Sequence, residues 1–261
     1  MMMFQAASGA ATLAGRVDGS DAPRYLPSLI ADKVAGLTAA QAALAAYVHK
    51  IRTGEGQVVE VPMFEAFTQF MLLEHLGGHT FDPPNAAVGY VRQLDPDRQP
   101  FPTADGHISI VPYTNAAWAT VFAVAEDPEF IVRSEFATPR LMLENQALLY
   151  RRLAEITPNR TSADWVRRFT AARVPCMPVR DLKDITCDPH LAAANFFERR
   201  DHPTEGAYLH MTPVVRYSGA DNDPTRCAPG LGEDGASIRA ELAMLKAQTT
   251  AKRSRRDPDK R

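Results

Sequence analysis

The chain has 261 residues, a length that suits one large domain or two modest ones. Hydrophobic residues make up 45% and charged residues 23% of the sequence, a balance that excludes a disordered chain, a collagen and a small disulfide scaffold. The 29 Lys and Arg against 31 Asp and Glu give a net charge of -2, so we expect no general attraction to nucleic acid or membranes.

The cysteines and histidines argue against a metal centre. Cys176, Cys187 and Cys227 are widely spaced and form no CxxC pair, which favours a reducing, cytoplasmic compartment. His75 and His79 stand four residues apart, but the glycines between them are expected to end the helix, so we predict no metal site. The N-terminal stretch lacks basic residues, and neither a signal peptide nor a membrane span is expected.

The clearest predicted element is a helix over residues 33–52. Asp32 stands at its N-cap position, and Gly54 is expected to end it. Many alanines on this helix would allow a neighbouring element to approach closely. Larger residues recur at heptad spacing: Leu37, Gln41, Leu44 and Val48.

Further elements follow in chain order. Val58–Val61 is predicted to form a strand, and Pro62 to open a second helix that ends before Gly77-Gly78. Residues 79–100 form a Pro-rich connection, and Asp105-Gly106 indicates a hairpin over 101–112. The remaining predictions are helices capped by Thr114 or Asn115 and by Thr161, a helix over 140–156, strands over 174–179 and 209–217, and a helix over 235–246.

Asp32 is the carboxylate with the most chemical interest, and two interpretations stay open from the residues alone. As an N-cap it would only satisfy backbone N–H groups of the helix. As a functional group it would be an ionised carboxylate at a helix N-terminus, with nearby N–H groups able to stabilise an oxyanion, and could attack an activated acyl group. Two interpretations also stay open for the glycine pairs at 54–56, 77–78 and 230–232: each pair could form a turn or could contact a ligand through its backbone.

Several segments, taken in order, resemble one enzyme family. Residues 30–37 (IADKVAGL) and 52–61 (RTGEGQVVEV) look like the class III CoA-transferases, the CaiB/BaiF family, which includes formyl-CoA transferase and carnitine CoA-transferase. Later segments agree in order: 90–94 (YVRQL), 98–106 (RQPFPTADG), 160–165 (RTSADW), 174–179 (VPCMPV) and 228–233 (APGLGE). The resemblance covers the chain from Gln5 to Leu242.

The resemblance implies both chemistry and site residues. Asp32 matches the family's catalytic aspartate, which attacks the acyl-CoA thioester to give a mixed anhydride and then an aspartyl-CoA thioester. Gly36 and Gln57 lie inside matching motifs and are candidate CoA-binding residues. No tightly bound cofactor and no metal are implied. Coenzyme A thioester is the substrate and a carboxylic acid the acceptor.

The resemblance also implies a fold and an assembly. The expected class is α/β, with the C-terminal part of a Rossmann-like large domain, a small α+β domain and an interlocked dimer. We expect a large-domain segment over 1–80 carrying Asp32, the small domain over 81–170, a return to the large domain over 171–247, and a disordered charged tail over 248–261. The chain begins just upstream of the catalytic aspartate, so the partner is a second copy or the family's N-terminal half.

Two alternatives to the transferase stay open. Alpha-methylacyl-CoA racemase is a relative that uses a histidine from the N-terminal half and a glutamate just after the hairpin. Here residues 111–115 (VPYTN) contain no glutamate, which disfavours racemase chemistry. The second alternative is an inactive fragment that folds only with a partner chain.

Overall fold

The structure of the protein is a computed structural model that describes residues 2–219 and 226–256, with side chains described up to residue 248. Helices and strands are mixed, and the chain forms two compact units, Met1–Val179 and Arg180–Arg261. The division into three segments predicted from the sequence stays a prediction. Part of the predicted tail, 257–261, lies outside the described residues.

The first unit begins with helices. They are α1 (Met2–Ala7), α2 (Leu13–Asp18), α3 (Ile30–Thr53) and α4 (Met63–His75), with short 3-10 turns at Ala10–Thr12 and Gly77–Thr80. Helix α4 contacts both α3 and α1. Phe67 of α4 is fully buried, and Phe4 of α1 stacks on Phe64 with ring centroids 6.2 Å apart.

Helix α3 confirms the strongest predicted element, with two corrections. Gly54 ends it as expected, with a φ of +79° that favours glycine. The N-cap is Leu29 rather than Asp32, which lies in the first turn, because the helix begins three residues earlier than predicted. The buried residues of the helix are alanines, Ala31 and Ala35, whereas the heptad stripe is exposed: Leu37, Leu44, Val48 and also Ile51 are at least half exposed.

The strand predicted over Val58–Val61 is wrong. Residues 55–62 form no regular element, and Val58 is 95% exposed. A strand is stabilised by pairing with a neighbour, and no described strand pairs with this segment. The β-branched residues therefore do not by themselves produce a strand here.

The two glycines after α4 allow a close approach between parts of the same chain. A Cβ on Gly78 would lie 2.3 Å from the backbone nitrogen of Ala86, and Gly77 has a φ of +55°. The loop is closed where the Gly89 N–H donates to the His75 carbonyl at 2.7 Å. These glycines therefore serve packing of the loop rather than contact with a ligand.

An antiparallel sheet with helices around it makes up the rest of the first unit. Its order is β1-β2-β3. The elements are β1 (Phe101–Thr103), β2 (Gly106–Ile110), α5 (Asn115–Val124), α6 (Pro128–Ile131), α7 (Pro139–Glu144), α8 (Gln146–Ile156), α9 (Ser162–Ala171) and β3 (Cys176–Pro178). Short 3-10 turns lie at Ser134–Phe136 and Thr157–Asn159.

The predicted hairpin is confirmed, with its turn one residue earlier than expected. Phe101 pairs with Ile108 and Thr103 with Gly106, so Ala104 and Asp105 form the turn. The Asp105 carboxylate accepts a hydrogen bond from the Ser162 backbone N–H at 2.7 Å, and this bond lowers the pKa of Asp105 below its ordinary value. The turn is thereby attached to the start of α9.

Two predicted helix caps are confirmed and one predicted helix is interrupted. The Thr114 hydroxyl accepts from the Ala117 N–H, and the Thr161 hydroxyl accepts from the Asp164 N–H. The helix predicted over 140–156 is broken at Asn145. Its side-chain amide donates to the Leu141 and Glu135 carbonyls, which is the local competition with helical bonding that asparagine offers.

A contiguous hydrophobic core lies between this sheet and its helices. The aromatic side chains of Trp118, Phe122, Trp165 and Phe169 are at most 3% exposed and come from α5 and α9. Aliphatic residues from β2 and α8 complete it, among them Ile108, Leu149 and Leu153. The hairpin is packed on this core through Phe101, Ile108 and Ile110, which are all buried.

The second unit contains a hairpin and helices: α10 (Pro189–Ala193), β4 (Phe197–His202), β5 (Gly206–Met211) and α11 (Gly235–Arg256), with a 3-10 turn at Leu182–Cys187. The strand predicted over 209–217 begins earlier and ends at Met211, because Met211 pairs with Phe197, the first residue of the antiparallel partner β4. Helix α11 runs to Arg256 and so extends beyond the predicted 235–246 into the predicted tail.

Candidate active site around Asp32

The segment directly before α3 is held in place by Gln5 of α1. This side chain is only 3% exposed, and its Oε1 accepts a hydrogen bond from the Leu26 N–H at 2.8 Å. Its Nε2 donates to the carbonyls of Leu26 and Ser28, each at 3.2 Å. A single glutamine in an apolar stretch forms no recognisable pattern, so sequence reasoning missed this residue.

We expect Gln5→Ala to lower the free energy of unfolding by about 1–3 kcal/mol, because it removes the three hydrogen bonds that this buried side chain makes to the backbone of Leu26 and Ser28. Gln41→Ala is the matched control, since Gln41 is exposed on α3. Its effect should stay within about 0.5 kcal/mol. Urea unfolding measures both, and equal midpoints for the two variants would contradict this role of Gln5.

Asp32 lies in the first turn of α3, a helix of 24 residues. The N-cap residue Leu29 makes no side-chain cap bond, so the first-turn N–H groups have no side-chain acceptor there. The partial positive charge of the helix N-terminus stabilises a carboxylate at this position. A half-buried acid is thus placed beside backbone donors.

One oxygen of Asp32 is left without a partner. Its Oδ2 is buried and accepts no hydrogen bond from any described residue. An unsatisfied buried polar atom costs about 1–3 kcal/mol, and in native proteins such an atom calls for an explanation. The lone pairs of this oxygen are uncommitted, as a nucleophilic carboxylate requires, and the Oδ2 atom itself has no exposed surface in this structure.

A cavity of about 750 Å³ lies at the start of the same helix. Ile30 forms one wall, and Phe67 and Met71 of α4 form another, with Gln5 and Arg24 among the polar groups. The volume falls in the range of small-molecule sites, about 300–1,000 Å³, and the lining is mainly apolar, as in such sites. Sequence reasoning found none of these walls, because they come from segments distant in the chain.

The three sequence-predicted site residues do not share this cavity. Asp32 is not among its lining residues, although Ile30 two positions earlier is. Gly36 lies one helical turn after Asp32, and a Cβ there would meet no atom within 4 Å. Gln57 is exposed in the segment between α3 and α4. Gly36 and Asp32 are therefore brought together by the helix they share.

Two of the later motifs have structural roles. The Trp165 indole N–H donates to the Thr157 carbonyl at 2.8 Å, and Asp164 accepts from the Arg168 guanidinium at 2.9 Å. In the second unit the Gly230 N–H donates to the Glu233 carboxylate at 2.6 Å, which closes the turn of the APGLGE motif. That N–H already has an acceptor from its own chain.

Within residues 2–219 and 226–256, no group of three or more His, Cys, Asp and Glu side chains is arranged to hold a metal ion. The helices in this part of the chain include none with the length and apolar character needed to cross a bilayer.

Comparison with known proteins places the chain in a family. The model described as CoA-transferase family III matches residues 1–235. The chain belongs to this family.

Individual relatives agree with this membership. The chain is 27% identical over 213 residues to human succinyl-CoA:glutarate CoA-transferase, covering 81% of this chain and 48% of that protein. It is 28% identical over 231 residues to "Probable fatty acyl-CoA transferase Rv3272" of Mycobacterium tuberculosis, covering 84% of this chain and 58% of that protein. This chain thus spans about half to three fifths of the length of these two relatives.

Solved structures show the same fold. A crystal structure of Rv3272 from M. tuberculosis superposes with a TM-score of 0.72 at 22% identity, covering 90% of this chain and 62% of that one. A CaiB/BaiF family protein from Brucella suis gives a TM-score of 0.69 at 24% identity, covering 92% and 62%.

Proposed function

We propose that this family III chain takes part in CoA transfer from an acyl-CoA to a carboxylic acid, with Asp32 as the nucleophile. The observation that carries the proposal is the buried Oδ2 of Asp32, which has no hydrogen-bond partner among the described residues. Family membership and the CoA-transferase names of the relatives support the reaction class.

The proposed reaction has two intermediates on Asp32. Its carboxylate attacks the thioester carbonyl, the C–S bond breaks, and CoA leaves as the thiolate from an acyl-aspartyl anhydride. The thiolate then attacks the aspartyl carbonyl and releases the donor's carboxylate, which leaves an aspartyl-CoA thioester. The acceptor carboxylate repeats these two steps in reverse order and departs as its own CoA thioester, and Asp32 is regenerated.

The helix N-terminus would assist each of these additions. Every attack on a carbonyl develops an oxyanion, and first-turn N–H groups of α3 lack a side-chain cap acceptor. Preorganised donors of this kind stabilise such charge, and removing one typically costs about 10²–10³-fold in rate. Coenzyme A enters as substrate in this scheme, with no metal and no tightly bound cofactor.

We include Gly36 and Gln57 in the proposal as CoA contacts. Gly36 supports this because open space faces its Cα, so a ligand could approach the helix backbone there. Gln57 is exposed and its amide is available. We do not propose racemase chemistry, because residues 111–115 after the hairpin supply no carboxylate.

We further propose that the chain works as a homodimer in the cytoplasm. The exposed apolar stripe of α3, with Leu44 at 65% and Ile51 at 67% exposure, supports coverage by another protein surface. Sedimentation velocity should then give about twice the monomer mass of 28.7 kDa. A monomer would contradict the homodimer.

The transferase proposal is tested by mixing the purified chain with succinyl-CoA and glutarate. Chromatography with mass detection should show glutaryl-CoA appearing as succinyl-CoA disappears, mole for mole, and a thiol reagent should detect no matching release of free CoA. Release of CoA without glutaryl-CoA would indicate hydrolysis. No reaction with these or other acyl-CoA and acid pairs would favour the inactive fragment.

A further inference from the structure

A second cavity has a volume of about 220 Å³ and is separate from the 750 Å³ cavity lined by Ile30. Arg92 and Arg98 line it together with Ser109 at the end of β2 and Tyr150 of α8. Gln99 lines both cavities, so the two share a wall. We call this second space the arginine cavity, and all of its residues belong to the first unit.

The two arginines of this cavity have no carboxylate partner among the described residues. Several other arginines of the unit are paired with acids, for example Arg151 with Asp97 at 2.9 Å and Arg152 with Asp127 at 2.7 Å. The Nε of Arg92 is buried and donates no hydrogen bond. Arg98 donates only a long bond of 3.5 Å, to the Arg92 carbonyl.

The acids nearest in the chain are committed to other groups. Asp97 pairs with Arg151, and Asp95 accepts from the Asp97 backbone N–H at 2.9 Å. The residues that line the arginine cavity include Arg92 and Arg98 and neither Asp nor Glu. Leaving a buried guanidinium donor unpaired is costly, and an anion that accepts its N–H groups removes that cost.

We propose that the arginine cavity binds an oxyanion group of the substrate, and this inference rests on the proposed CoA transfer. Guanidinium groups present a planar set of donors that matches a carboxylate or phosphate through two parallel hydrogen bonds. The group is then either the second carboxylate of a diacid or the 3′-phosphate of coenzyme A. The shared wall at Gln99 connects it to the larger cavity at the start of α3.

Calorimetric titration of the full chain separates these sources without requiring turnover. Glutarate against butyrate tests a second carboxylate, and coenzyme A against 3′-dephospho-coenzyme A tests the 3′-phosphate. We expect at least a tenfold tighter Kd for the member of one pair that carries the additional carboxylate or phosphate, and Arg92→Gln and Arg98→Gln should each remove that preference. A preference between glutarate and butyrate identifies a diacid site, and one between the two coenzymes a phosphate site.

Control variants keep the outcome interpretable. Arg140→Gln removes an arginine whose side chain is 86% exposed, and it should bind the probes like the unaltered chain. Arg92→Lys retains charge but loses the paired donors, so an intermediate preference is expected. Asp32→Asn should keep the preference while losing transfer, which separates this site from the nucleophile. Equal Kd values within both pairs, or a preference that survives both glutamine variants with a normal melting curve, would overturn the proposal.

Discussion

Asp32→Asn should reduce CoA transfer by on the order of 10⁴-fold or more, the scale seen when a covalent nucleophile is removed. An amide nitrogen cannot form the anhydride, while the shape of the side chain is preserved. Because Oδ2 of Asp32 is buried without a partner, the change should lower the free energy of unfolding by no more than the roughly 0.3–1 kcal/mol that a helix N-terminus contributes to a carboxylate. Transfer assays and a melting curve on the same preparation measure both effects.

Asp21→Asn is the matched control for this variant. Asp21 is exposed in the same unit and precedes α3 in the chain, so its amide should leave transfer unchanged. Retention of a tenth or more of the transfer rate by Asp32→Asn would contradict the nucleophilic role. A collapse of the melting curve would instead assign Asp32 a structural role in the first turn of α3.

Phe67→Ala should lower the free energy of unfolding by about 3–5 kcal/mol, which is typical of emptying a buried phenylalanine site. Phe67 is fully buried in α4, and it lines the cavity of about 750 Å³ that Ile30 also lines. Its loss removes packing beneath the start of α3, so transfer should fall together with stability. Urea unfolding with the transfer assay measures the two effects.

Phe70→Ala on the same helix provides the comparison. Phe70 is 46% exposed, and truncating it should cost only about 1–2 kcal/mol because nearly half of its surface is already in contact with solvent. A similar loss in both variants would contradict the account of α4 as the support of α3.

Local chemistry explains which elements were predictable. The caps at Thr114 and Thr161, the glycine end of α3 and the hairpin depend on residues a few positions apart. The interruption at Asn145 also has a local cause, but it depends on a carbonyl of Glu135 ten residues away. The strand over 58–61 failed because strands depend on distant partners.

The site was less predictable than the fold. Asp32 became the candidate nucleophile through the family resemblance, since its residue type and position also suit an N-cap. The lining of the cavity could not be predicted from the sequence, because Gln5, Phe67 and Gln99 come from separate segments that only the tertiary structure brings together. The same is true of the burial of α3, where the small alanines are buried and the leucines exposed.

Trapping with hydroxylamine tests the central claim most directly. The chain is incubated with an acyl-CoA and hydroxylamine, digested, and its peptides are examined by mass spectrometry. An anhydride or thioester on Asp32 would be converted to a hydroxamate, which we expect on the peptide that contains Asp32 and not in the Asp32→Asn variant. A chain that transfers CoA with no hydroxamate, or with one on another carboxylate, would contradict Asp32 as the nucleophile.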